Sequence, residues 1–76
     1  MAITISYNKL WKLLIDRKMS RADLRRAADI SPNTLTRLSR DEEVSLPILK
    51  KICFCLLVNI GDICEFIPEA DDKKLL

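Results

Sequence analysis

Apolar positions recur along most of this chain at three- and four-residue spacing, the period of an amphipathic helix. Only the ends break it. Ile3-Thr4-Ile5 alternates, which predicts a short strand before Ser6 caps the first helix. That helix is expected over Tyr7–Lys18, where Tyr7, Leu10, Trp11, Leu14 and Ile15 form one face and Leu13 widens it. Ser20-Arg21-Ala22-Asp23 reads as a capping box with Asp in place of Glu, and starts a second helix that turns Leu24, Ala27 and Ala28 inward until about Ala28. Asp29-Ile30 interrupts the pattern. Ser31-Pro32 restarts it, because proline at the first helical position lacks only an amide that had no partner there. The third helix then runs from Pro32 to Ser39 or Arg40 and buries Leu35 and Leu38.

Ser45-Leu46-Pro47 is a start of the same kind, for a fourth helix burying Leu46, Leu49, Ile52, Cys53 and Leu56. Asn59 caps a fifth, short helix over Ile60–Glu65, with Asp62 placed where the helix dipole favours a negative charge. Phe66-Ile67-Pro68 is expected to be extended, since Pro68 biases its predecessor away from helix. The pattern therefore predicts an all-α, compact five-helix domain over residues 1–68, with short extended segments at both ends. Residues 69–76 are polar and aperiodic, the composition of a frayed tail.

Size and composition narrow the function. A chain of 76 residues supports one small core, worth roughly 3–5 kcal/mol, and little room for a deep catalytic cleft. There is no histidine, so the commonest general base and zinc ligand are both missing. Cys53, Cys55 and Cys64 are an odd number and lack Cys-x-x-Cys spacing, so they are expected to be small core residues of a reduced, cytoplasmic protein. No enzyme, metal or cofactor is expected. Met1–Tyr7 carries no positive charge and leads into no apolar run, and the longest uncharged stretch, Ile52–Gly61, is 10 residues. Neither a signal peptide nor a membrane span is therefore expected.

The net charge of +2 conceals an asymmetry. Lys9 to Arg40 holds nine basic and three acidic residues, whereas Asp41 to Leu76 holds four basic and eight acidic ones. A cationic first half is what a domain shows when one end meets a polyanion. A merely solvated, Arg-rich helix surface would look the same on charge alone. The middle of the chain decides between them. In SRADLRRAADISPNTLTRLSR (Ser20–Arg40) two short helices are joined by about three residues, and Asn33, Thr34, Thr36, Arg37 and Arg40 are the polar remainder of the second. That is the plan of a helix-turn-helix, whose second helix enters the major groove.

On these residues the chain resembles the Xre/Cro-repressor-like family of helix-turn-helix regulators, especially its small stand-alone bacterial members. The matching positions are Tyr7, Leu10 to Leu14, Met19-Ser20, Leu24, Ile30 to Leu35 and Leu38, with a second block over Val44–Pro68. The resemblance covers about Tyr7–Pro68. Three positions depart from it. Asp29 replaces a frequent turn Gly at some cost, Arg25 replaces a small residue and must snorkel outward, and Pro32 removes one side-chain contact.

The resemblance implies a lambda-repressor-like fold and a double-stranded DNA operator as partner. It assigns base contacts to Asn33, Thr34 and Arg37, and phosphate contacts to Arg21, Ser31, Thr36 and Arg40. Arg can bind guanine and Asn adenine bidentately, and helix amino ends add amide donors to phosphates. A homodimer is expected, because one chain offers one recognition helix and operators carry two half-sites. In so small a domain the last apolar residues, Ile63, Phe66 and Ile67, either form a dimer surface, with Ile3 and Ile5 adding a strand, or fold back over the first helix; the dimer surface is the expectation. The rival reading is an antitoxin-like module whose acidic carboxyl half binds a partner protein.

Overall fold

The computed structural model describes residues 3–68. In chain order the elements are β1 (Ile3–Ser6), α1 (Asn8–Asp16), α2 (Arg21–Ala28), α3 (Pro32–Ser39), α4 (Leu46–Leu56), a 3₁₀ turn at Ile60–Asp62 and β2 (Glu65–Pro68). The expected tail at 69–76 lies outside the described residues.

The helix starts follow from local chemistry. The Ser20 hydroxyl accepts the Asp23 amide at 3.0 Å while the Asp23 carboxylate accepts the Ser20 amide at 2.9 Å, closing the capping box. Hydrogen bonds to the carboxylate from the Ser20 amide and then the Ser20 hydroxyl, with the nearby Arg26 guanidinium, hold the Asp23 carboxyl below its ordinary range. Ser31 caps α3 by accepting the Thr34 amide at 3.1 Å. Ser45 precedes α4 with no side-chain cap, so there Pro47 in the first turn carries the start.

All four helices stop in one way. A residue with φ of 56° or 57° follows each of them: Lys18, Asp29, Asp41 and Leu57. Each stop is closed by two backbone bonds, such as Met19 N to Leu14 O and Lys18 N to Ile15 O after α1. The left-handed region favours glycine, yet the chain has a single glycine, Gly61, and it serves none of these stops. Helix α1 consequently ends at Asp16, two residues before the Lys18 that its periodicity predicts.

The core gathers Tyr7, Leu10, Leu14, Leu24, Ala28, Ile30, Leu38, Leu49, Ile52, Leu56, Ile63 and Cys64. Tyr7 is fully buried because its hydroxyl finds an acceptor, donating to the Glu42 carbonyl at 2.9 Å. Burial lifts its phenol above the ordinary value and does the same to the thiols of Cys53 and Cys64. All three cysteines are free, Cys64 buried and the other two half-buried.

Several expectations need correction. The domain is not all-α with five helices: the described residues form four α-helices and a two-stranded sheet. The extended ends pair with each other antiparallel, Ile3 opposite Pro68, Thr4 opposite Ile67, Ile5 opposite Phe66 and Ser6 opposite Glu65. The fifth helix is reduced to one 3₁₀ turn, since six residues barely nucleate a helix and Glu65 is drawn into the strand. Leu46, Ile15 and Ala27 face solvent rather than the core, and Leu35 is only half-buried. Periodicity identifies a helix face, but the width of that face which neighbours cover depends on where they cross.

Candidate nucleic-acid interface

Helices α2 and α3 are joined through Asp29, Ile30 and Ser31. Asp29 takes the left-handed conformation, and its carbonyl accepts the Lys51 ammonium at 3.4 Å. Ile30 is buried and draws the turn onto the core. Leu24 and Ala28 of α2 and Leu38 of α3 are the buried residues at this crossing. Once Leu38 is fixed inward, the opposite face of α3 is fixed outward. At about 100° per residue, Asn33, Thr36, Arg37 and Arg40 fall within an arc of roughly 100°, centred away from Leu38. All four are exposed.

The polar groups of this surface differ in what they have left to offer. Among the described residues, Asn33 and Arg40 make no side-chain hydrogen bond or ion pair with the protein. Arg37 meets the Glu42 carboxylate through Nε at 3.5 Å. Thr36 Oγ1 donates its single proton to the Pro32 carbonyl at 3.1 Å, so it approaches a phosphate oxygen only by giving up that bond. Thr34 is half-buried, and its hydroxyl lies 2.9 Å from that of Ser31, which also caps the helix. Both hydroxyls are thus occupied in building the helix start.

Arg21, at the first position of α2, is held from two sides. Its guanidinium carbon stands 3.8 Å from the centroid of the Trp11 ring, and NH1 donates to Ser39 Oγ at 2.9 Å. One side chain therefore ties α1, α2 and the last turn of α3, next to Arg40. The pairing is absent from any sequence period, because Trp11 and Arg21 lie on different helices. Trp11 is half-buried, with the core on one side and the Arg21 guanidinium over its ring.

Other basic residues are spent within the fold. Lys9 reaches the Gly61 carbonyl at 3.2 Å and Glu65 at 3.9 Å, and Arg26 pairs with Asp23 at 2.7 Å. Arg17 donates to the Leu56 carbonyl at the end of α4. Arg25 is half-buried, as its position beneath the crossing requires.

The expected dimer residues divide. Ile63 is 0% exposed and belongs to the core, so it offers nothing to a partner. Phe66 is 75% and Ile67 41% exposed. Because strand side chains alternate, Phe66 shares a ribbon face with Ile3 and Ile5 while Ile67 lies on the other face with Thr4. Ile3, Ile5 and Phe66, with Val44 and Leu49, line a cleft of about 440 Å³.

Two short helices locked by a three-residue turn, with a basic, polar outward arc on the second, define a helix-turn-helix domain. The chain belongs to the family of Cro/C1-type helix-turn-helix DNA-binding domains, whose sequence model matches residues 9–69. Among solved structures it is similar to the crystal structure of the transcriptional regulator VanUg. The two share 48% identity over 91% of this chain and 92% of that one, with a TM-score of 0.87. No curated protein sequence matches it. None of the described helices is long and apolar enough to cross a membrane, and no cluster of three metal-ligating side chains occurs among the described residues.

Proposed function

We propose that this protein is a sequence-specific regulator of transcription that represses by occupying a double-stranded operator, without catalysis. The observation that carries this reading is the outward arc of α3, where Asn33, Arg37 and Arg40 stand exposed beside the anchored Arg21. Asn33 and Arg37 lie one helical turn apart and read base edges in the major groove. Arg21 and Arg40, together at the carboxyl end of α3, bind phosphates, and Ser31, Thr34 and Thr36 support the helix start more than they touch DNA. The 48% identity with a chain described as a transcriptional regulator supports the regulatory role.

A homodimer would place two recognition helices on half-sites about 34–36 Å apart. Its contact surface is the ribbon face bearing Ile3 and Phe66. The test is selection of bound duplexes from a random pool, followed by gel shift with the wild type and Arg37→Ala. A defined half-site whose preference relaxes at one or two base pairs in the variant is expected. Enrichment of no sequence by the wild type would overturn the reading, and a protein that captures a partner polypeptide but no DNA would favour the antitoxin-like alternative.

A further inference from the structure

The acidic stretch Asp41-Glu42-Glu43 follows directly after the most basic part of the chain, where an anionic nucleic acid would repel it. A role for it emerges from how the chain leaves α3. Asp41 takes φ of 57°, and the Glu42 amide donates back to the Arg37 carbonyl at 2.9 Å, folding the loop against the last turn. Tyr7, wholly buried, fastens the loop there: its hydroxyl donates to the Glu42 carbonyl at 2.9 Å and its amide to the Asp41 carboxylate at 3.2 Å. The Glu42 backbone is thereby tied to the core. Its carboxylate is left beside Arg37, Oε1 to Nε at 3.5 Å.

We propose that Glu42 is a specificity-determining positioning residue, which holds Arg37 by its Nε so that both terminal amino groups are presented to one guanine of the operator. This rests on the reading of Arg37 as a base-contacting residue. The geometry of the guanidinium supports it. Of its three nitrogens Nε lies nearest the Glu42 carboxylate, at ion-pair distance, and the four donors on the two terminal nitrogens remain for the O6 and N7 acceptors of guanine. Both partners are about half exposed, so in free solution the pair is screened and weak. Docking onto a groove excludes water and strengthens it. On a non-cognate sequence Arg37 finds no matching acceptors, while the carboxylate still repels the phosphates. Glu42 thus lowers affinity for DNA in general and preserves it for the operator.

The experiment measures dissociation constants of the wild type, Glu42→Gln, Arg37→Ala and the double variant. Three duplexes are used: the selected operator, that operator with the Arg37 base pair exchanged, and unrelated DNA. Glu42→Gln is expected to bind unrelated DNA more tightly and to lose about two- to fivefold of its discrimination at that one base pair, the span of an exposed ion pair. In the Arg37→Ala background the same change should leave discrimination unaltered. Equal tightening on all three duplexes would overturn the positioning role and leave Glu42 as a bulk charge. A loss of discrimination that persists without Arg37 would overturn it too. If Arg37→Ala itself changes preference at no base pair, the base-reading role of Arg37 falls first, and this inference with it.

Discussion

Arg21 offers the sharpest test of the interface, because the structure specifies both its role and its controls. Arg21→Ala removes a guanidinium that lies over Trp11 and is bonded to Ser39, and leaves the capping box of α2 untouched. If Arg21 neutralises one phosphate per subunit, log K falls less steeply with log salt by about 0.9 for each lost contact. Between about 50 and about 200 mM salt, that difference amounts to roughly half a log unit, or ~3.5-fold per subunit. The loss should be the same on operator and unrelated DNA, since phosphate contacts carry no sequence information. Ser39→Ala is the control. It keeps the charge but releases the side chain, whose ordering entropy of up to about 2 kcal/mol must then be lost on binding. Affinity should therefore fall while the salt slope stays. The assay is fluorescence anisotropy of labelled duplexes across a salt series. Trp11, as the single tryptophan, gives a second signal if the guanidinium leaves its ring. A salt slope for Arg21→Ala equal to that of the wild type would refute the reasoning.

Leu57 is 84% exposed and holds φ of 57°, so Leu57→Gly sheds backbone strain with little loss of burial and should raise stability by about 1 kcal/mol in chemical denaturation; a lower midpoint would contradict the strain argument. Tyr7 titrates above its ordinary 10.0 in the folded chain, so its contribution is fully present below that pH and lost as the pH climbs from there through the folded value. Tyr7→Phe should cost about 1 kcal/mol at neutral pH and flatten the alkaline loss relative to the wild type; parallel curves above pH 10.0 would refute this. Phe66→Ser should weaken self-association in sedimentation without unfolding the chain, whereas Ile63→Ala, which empties a fully buried site, should cost about 2–5 kcal/mol and leave the dimer constant of the folded fraction unchanged. Unaltered association in Phe66→Ser, or a wild type that stays monomeric, would overturn the proposed dimer surface.

The helix-turn-helix was readable because its signals are local. Ser20 and Asp23 meet three residues apart, Ser31 and Pro32 are adjacent, and Leu24 with Ala28, then Leu35 with Leu38, follow the helix period within their own helices. What misled the reading was also specific. The Asp62 carboxylate does accept the Asn59 amide at 3.0 Å, but it closes a single 3₁₀ turn, since too few residues follow before the strand begins. Ile63 has the same composition-level signature as Phe66, yet one is in the core and the other in solvent. The face of α1 places Trp11 toward the core, and its contact with Arg21 lies outside any one-helix argument.

Local chemistry along the chain is thus enough to place the helix starts, the apolar faces, the change in sign of the charge and the helix-turn-helix in the middle. Each of those depends on residues within a turn or two of one another. The pairing of Ile3–Ser6 with Glu65–Pro68, the stacking of Arg21 on Trp11, and the fastening of the loop after α3 by Tyr7, which sets Glu42 beside Arg37, arise when the elements pack together. These contacts join residues far apart in the chain or on different elements. Their energies depend on how whole helices cross, and no local period encodes a crossing.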